Sequence, residues 1–153
     1  MAPRMNFFQI APDGAKALNA VEQAISGSGI DHGLLELVRL RASQVNGCAF
    51  CINMHVTGAL KNGESHERLH LLSAWRDSPL FTERERAALN WTEVLTDVSR
   101  THAPEADFLY LKVHFEDQEI AYLTLAISSI NVWNRIQIGL HARRSTGQVA
   151  AAA

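Results

Sequence analysis

Glu36-Leu37-Val38-Arg39-Leu40-Arg41-Ala42-Ser43-Gln44-Val45-Asn46-Gly47-Cys48-Ala49-Phe50-Cys51-Ile52-Asn53-Met54-His55 carries most of what this sequence says about itself. Its first half places apolar residues at helical spacing, with Leu34 just before it and Leu37, Val38 and Val45 inside it. Asn46-Gly47 then breaks the helix. A second helix is expected from about Cys48 to Asn62-Gly63, a pair suited to a left-handed C-terminal cap. On that helix Cys51 lies about 60° round from Cys48, and His55 about 40° round from Cys51, so the three share one stripe. Two sulfurs and an imidazole on one stripe suit a dithiol that closes to a disulfide while the ring holds or relays a proton.

Two effects lower a thiol pKa in such a place, and they favour different atoms. The free N–H groups and positive dipole end of the helix favour a thiolate at Cys48. An imidazole one turn on favours Cys51. The spacing alone does not choose between them. Glu36, twelve residues before Cys48, sits on the preceding helix, which the Asn46-Gly47 break lets fold back beside the third. A carboxylate there can fix the tautomer of His55 as third member of a relay. Taken alone, Glu36 reads as a surface partner of Arg39 at i+3. Cys48 and Cys51 read without His55 are two small buried hydrophobes. Zinc is a further alternative because all three residues are ligand types, but a fourth ligand is missing unless His66 or His70 supplies it.

Outward from this segment the periodicity stays helical, and no run alternates long enough for a strand, so the expected fold is all-α with six or seven helices. Asp13 is the expected N-cap of a first helix reaching Ser26 and ending at Gly27-Ser28-Gly29. Asp31 or His32 opens the second. Ser65 caps a short fourth helix, 66–75, closed by Asp77-Ser78-Pro79. Thr82 with Glu85 forms a capping box that starts a fifth, reaching about Ser99. Pro104 falls in the first turn of a sixth. The last, 117–140, is apolar on most of its circumference, which places it at the centre of the bundle or in an oligomer interface. Within it Asn131, Trp133, Asn134 and Arg135 form a polar and aromatic cluster. It reads as hydrogen-bonded packing or an intersubunit contact, with a substrate-pocket wall as the functional alternative. Trp91 reads as core. The remaining histidines, His32, His66, His70, His102, His114 and His141, default to the surface.

With 153 residues, 47% hydrophobic and 20% charged, the chain reads as a single globular domain over 1–153, its core about 31–140 and its tail 145–153 flexible. A net charge of −2 with scattered basic residues offers no field for phosphates, so no nucleic-acid partner is expected. Neither a signal peptide nor a membrane span is legible, and a cytoplasmic location follows by default. Two cysteines three apart restrain little unfolded chain, so the pair matters chemically rather than as a staple.

The pattern Glu36, Cys48, Cys51, His55 resembles the carboxymuconolactone decarboxylase superfamily, specifically its alkylhydroperoxidase D-like branch. The lead-in 36–47, the lead-out Ala59-Leu60-Lys61-Asn62-Gly63, the segment Leu89-Asn90-Trp91-Thr92-Glu93-Val94-Leu95-Thr96 and residues 129–135 are similar to it too, so the likeness runs from about Leu34 to Leu140. The resemblance implies a helical subunit assembling into trimers or hexamers. It also implies a peroxidase that reduces hydrogen peroxide or organic hydroperoxides, regenerated by a dithiol protein or small thiol. Carried onto this chain, it makes Cys51 the peroxidatic sulfur, Cys48 the resolving one, His55 the proton acceptor and donor, and Glu36 its orienter. It disfavours decarboxylation, because the decarboxylase branch lacks the cysteine pair. Where well-known peroxidases of the branch carry a His between the cysteines, this chain has Phe50. No cofactor and no metal are called for, since nothing resembles a flavin or nicotinamide site. The alternatives of another class are a noncatalytic oligomeric redox sensor or scaffold and, third, a zinc-binding domain.

Overall fold

A computed structural model describes residues 3–142, and the tail expected at 145–153 lies outside them. Among the described residues there are nine α-helices and no strand: α1 (Phe7–Ile10), α2 (Pro12–Ser26), α3 (His32–Asn46), α4 (Ala49–Lys61), α5 (His66–Leu71), α6 (Glu83–Thr96), α7 (Val98–Thr101), α8 (Glu105–Lys112) and α9 (Asp117–Leu140). The two beyond the expected seven are single turns. In α1, the Asn6 side chain accepts the Gln9 N–H, and Phe7 and Phe8 pack on Trp133 of α9. The other, α7, arises where the fifth helix breaks at Asp97 instead of running to Ser99. It is stitched back by the Thr101 hydroxyl, which donates to the Val94 carbonyl at 2.7 Å.

Three helix ends differ from expectation for local reasons. Pro12 takes the first helical position of α2, whose missing N–H costs nothing there, so Asp13 lies inside the first turn and Ala11 holds the cap position without a side-chain bond. Pro104 stands at the cap of α8, one residue before its first turn. The fourth helix tightens after Leu71 into a 3-10 turn, Leu72–Ala74. Asp31 caps α3 by accepting the Leu34 N–H at 2.9 Å, and Thr82 with Glu85 forms the capping box of α6.

The helix enclosed on every side is α3, not α9. One of its faces puts Leu34, Leu35 and Val38 against Ile25, Ala87, Trp91, Leu123 and Ile127. The other puts Leu37 and Leu40 against Ala59, Leu69, Leu72, Phe81 and Leu89. Burying a leucine fully is worth about 2 kcal/mol, and α3 holds Leu35, Leu37 and Leu40 in that state. α9 covers one side of α3 with Leu123, Ile127 and Ile130, while Leu125 and Val132 remain exposed on its far face, and Ile138 is exposed near its C-terminal end. None of the described helices is long and apolar enough to cross a membrane.

Candidate active site

The hinge between α3 and α4 is two residues long. Gly47 adopts φ +70°, a left-handed conformation that a side chain would strain, and the Cys48 N–H reaches back to the Ser43 carbonyl at 3.0 Å. This closing motif delivers Cys48 directly to the cap position of α4. There its sulfur accepts the Cys51 N–H at 3.3 Å. Cys48 and Cys51 are joined in a disulfide, with their Cα atoms 5.3 Å apart. Both are almost wholly enclosed, at 2% and 1% exposure. Two hollows of the surface lie elsewhere, one beside Phe8, Lys16 and Gln23 and one beside Asp31, Asn62 and Glu64.

One turn after Cys51, His55 is buried as well, at 7% exposure. Its Nδ1 lies 2.9 Å from Glu36 Oε2 across the α3–α4 contact. An ionised carboxylate can only accept, so Nδ1 carries the hydrogen, and in the neutral ring Nε2 presents the lone pair. Nε2 is buried and has no hydrogen-bond partner among the described residues. Glu36 is therefore not the surface partner of Arg39 that it resembles in isolation. It bonds Arg39 Nη1 through Oε1 at 3.2 Å and His55 through Oε2. Burial alone would push its carboxyl up, but the His55 bond and charge and the Arg39 guanidinium together hold it below the ordinary value.

Several contributors escaped the sequence reading. Gly58, one turn beyond His55, gives the carboxylate room: a Cβ there would meet Glu36 Oε2 at 3.2 Å. Arg39 Nη2 donates to Glu22 Oε2 of α2 at 2.8 Å, and Ser129 of α9 donates to Glu22 Oε1 at 2.5 Å. The i+3 spacing of Glu36 and Arg39 was a visible signal, whereas Glu22 and Ser129 gave none. Asn131 and Asn134, singled out in the sequence, accept both hydrogens of Asn46 Nδ2, at 2.9 and 2.8 Å. Asn134 in turn donates to Ser43 Oγ at 3.1 Å. They tie α9 to the last turn of α3, just ahead of the cysteines, as hydrogen-bonded packing. Arg135 bonds the Asn131 carbonyl and side chain, and Trp133 packs on α1. Trp91 is core, its Nε1 donating to Thr124.

His66 and His70 are exposed neighbours on α5. No group of three or more His, Cys, Asp and Glu placed to hold a metal ion occurs among the described residues.

The chain is similar to known proteins in sequence and in fold. The profile of the carboxymuconolactone decarboxylase family matches residues 12–94. The uncharacterized protein YdfG of Bacillus subtilis (strain 168) is 35% identical over 146 residues, covering 95% of this chain and 99% of that one. A solved structure from Agrobacterium tumefaciens, of unknown function and put forward as the antioxidant defence protein AhpD, is 41% identical. It superposes with a TM-score of 0.90 over 95% of this chain and 99% of that one. The debrominase Bmp8 is 19% identical with a TM-score of 0.78, over 94% of this chain and 77% of its own, and shares the fold alone.

Proposed function

The chain belongs to the carboxymuconolactone decarboxylase family, in its alkylhydroperoxidase D-like branch, and on that premise we propose that it is a thiol peroxidase. The supporting observation is the Cys48–Cys51 disulfide lying one turn before a buried imidazole whose far nitrogen is held by a carboxylate.

In the dithiol form, His55 Nε2 accepts the Cys51 proton. The thiolate attacks one peroxide oxygen, the O–O bond breaks, and the leaving alkoxide or hydroxide takes the proton back from His55. Cys51 becomes a sulfenic acid. The Cys48 sulfur then displaces its oxygen as water, closing the disulfide. A dithiol protein or small thiol reduces that bond and returns both protons. Glu36 orients the ring throughout and carries the charge balance when the imidazolium forms. Phe50, in place of a relay histidine, leaves His55 as the single proton carrier beside the sulfurs.

The enclosure of both sulfurs favours hydrogen peroxide or a small hydroperoxide over a bulky one. A cytoplasmic setting that keeps the thiols reduced belongs to the same proposal. So does assembly into a trimer or hexamer, for which the exposed Leu125 and Val132 of α9 offer apolar surface.

The enclosure also supports a second reading, a redox sensor or scaffold whose pair oxidises once and slowly. Peroxide consumption with dithiothreitol as reductant separates the two. A peroxidase turns over many times per subunit and stops in Cys51→Ser, whereas a sensor consumes one equivalent. Full turnover by Cys51→Ser would remove the proposal.

A further inference from the structure

The polar groups behind His55 form a continuous, largely buried line drawn from four helices: Ser129 of α9, Glu22 of α2, Arg39 and Glu36 of α3, and His55 of α4. Arg39, at 8% exposure, is the sole cation of the line among these residues and is held between two carboxylates, at 2.8 Å from Glu22 and 3.2 Å from Glu36. The other helix flanking α3 contributes no further charge to it. Glu93 of α6 is committed to Trp75, Arg41 and Arg76.

Counting formal charges, two carboxylates and one guanidinium leave the line one negative charge in excess while His55 is neutral. Protonating the imidazole brings it to zero. The Glu22 side chain is 28% exposed, so water screens part of that excess, and the remainder attracts a counter-charge. His55 is the base of the line nearest the cysteines in sequence, and its unpartnered Nε2 is where a proton taken from a thiol would go. One helical turn earlier, Cys51 is the thiol that can give that proton up: its S–H bond breaks and the N–H bond forms, leaving a thiolate beside an imidazolium.

We infer that Glu22, which does not touch the imidazole, is a positioning residue that sets the charge of this line through Arg39 and so promotes the Cys51-to-His55 proton transfer. The inference rests on Cys51 being the working thiol of the proposed peroxidase. It explains why a guanidinium buried beside Glu36 does not simply cancel the carboxylate that His55 needs: Glu22 neutralises Arg39 first, at the shorter distance.

The test measures the pH dependence of Cys51 alkylation by iodoacetamide in full-length protein carrying Cys48→Ser, so that a single thiol reports. In Glu22→Gln the amide oxygen can still accept from Ser129 or Arg39, but the excess charge is gone. The midpoint of the rate–pH profile is expected to rise by roughly half a unit to one unit, with the rate at neutral pH falling about three- to tenfold. Glu22→Asp, which keeps the charge, should restore most of the shift. Ser129→Ala, which removes a hydrogen bond and no charge, should move the midpoint less than Glu22→Gln does. Circular dichroism melts confirm that each variant is folded.

An unmoved midpoint in folded Glu22→Gln, while Glu36→Gln moves it, overturns the inference and leaves the peroxidase standing. Equal shifts in Glu22→Gln and Glu22→Asp also overturn it, because charge would not be the cause. Conversely, the expected shifts in a protein that consumes no peroxide catalytically would uphold the charge line and sink the peroxidase.

Discussion

Two partly buried glutamates, one on α3 and one on α6 facing it, are wired in opposite ways. Glu93 of α6 spends its carboxylate on permanent donors: Trp75 Nε1 and Arg41 Nε share one oxygen at 2.8 and 2.7 Å, and Arg76 Nη1 holds the other at 2.5 Å. Glu36 gives one oxygen to Arg39 and the other to His55, a partner that can gain or lose a proton. Burial works against both carboxylates, and in both cases the donors outweigh it and hold the group below the ordinary value of 4.5. Both are therefore anions at neutral pH. The difference is that the first anion is locked into the scaffold, whereas the second is bonded to a group whose charge can change during a reaction. A carboxylate in a protein interior points to chemistry when one of its partners can exchange a proton.

That contrast can be broken at either end. Glu36→Gln should cost the most in function, lowering peroxide turnover about 30- to 300-fold, because the ring loses both its fixed tautomer and its counter-charge. Steady-state rates at neutral pH check this.

Glu93→Gln should do the reverse. We expect about 1–3 kcal/mol of stability to be lost, read by urea unfolding, with turnover within about twofold of wild type. Acid sharpens the point. A carboxyl depressed in the folded state stabilises the protein fully above its unfolded value of 4.5, and that contribution fades as pH falls through the folded value. The gap between wild type and Glu93→Gln should therefore narrow on going from about pH 7 to about pH 3.5. A gap that stays constant would mean that Glu93 acts by packing and not by charge.

The smallest expected effect is at Gly58. An alanine there gains helix propensity worth up to about 1 kcal/mol but crowds Glu36 Oε2. Unchanged or raised stability with a loss of a few-fold in turnover is the expected signature. Unchanged turnover would show that the carboxylate has room to spare.

The sequence made α3 and α4 plain because their signals are local. Asp31, Asn46-Gly47 and the 3.6-residue spacing all act within a few residues, and Cys51 and His55 share a helix that Cys48, expected as its first residue, instead caps in an extended conformation. Glu36 was within reach because a two-residue hinge can only fold α3 back on α4. Glu22 and Ser129 were not, since what makes them matter is a contact across 107 positions of sequence between residue types that are common on any surface. Arg39 was misread for a related reason. An i+3 neighbour explains an arginine so well that nothing in the string suggests a second carboxylate on another helix. The place of α9 was open for a different reason: apolar composition all round a helix does not say which side its neighbours in the same subunit will cover.

The line from Ser129 to His55 also bears on whether this chemistry is portable. A hairpin cut from residues 32–61 would contain both sulfurs, the imidazole and its carboxylate, yet would arrive with Arg39 stripped of its Glu22 partner and its own helix ends exposed. Grafting such a cassette onto a foreign scaffold transfers the reactive atoms without the electrical environment that tunes them. A designer would need to import the far anchor on α2, and the hydroxyl that steadies it, along with the motif.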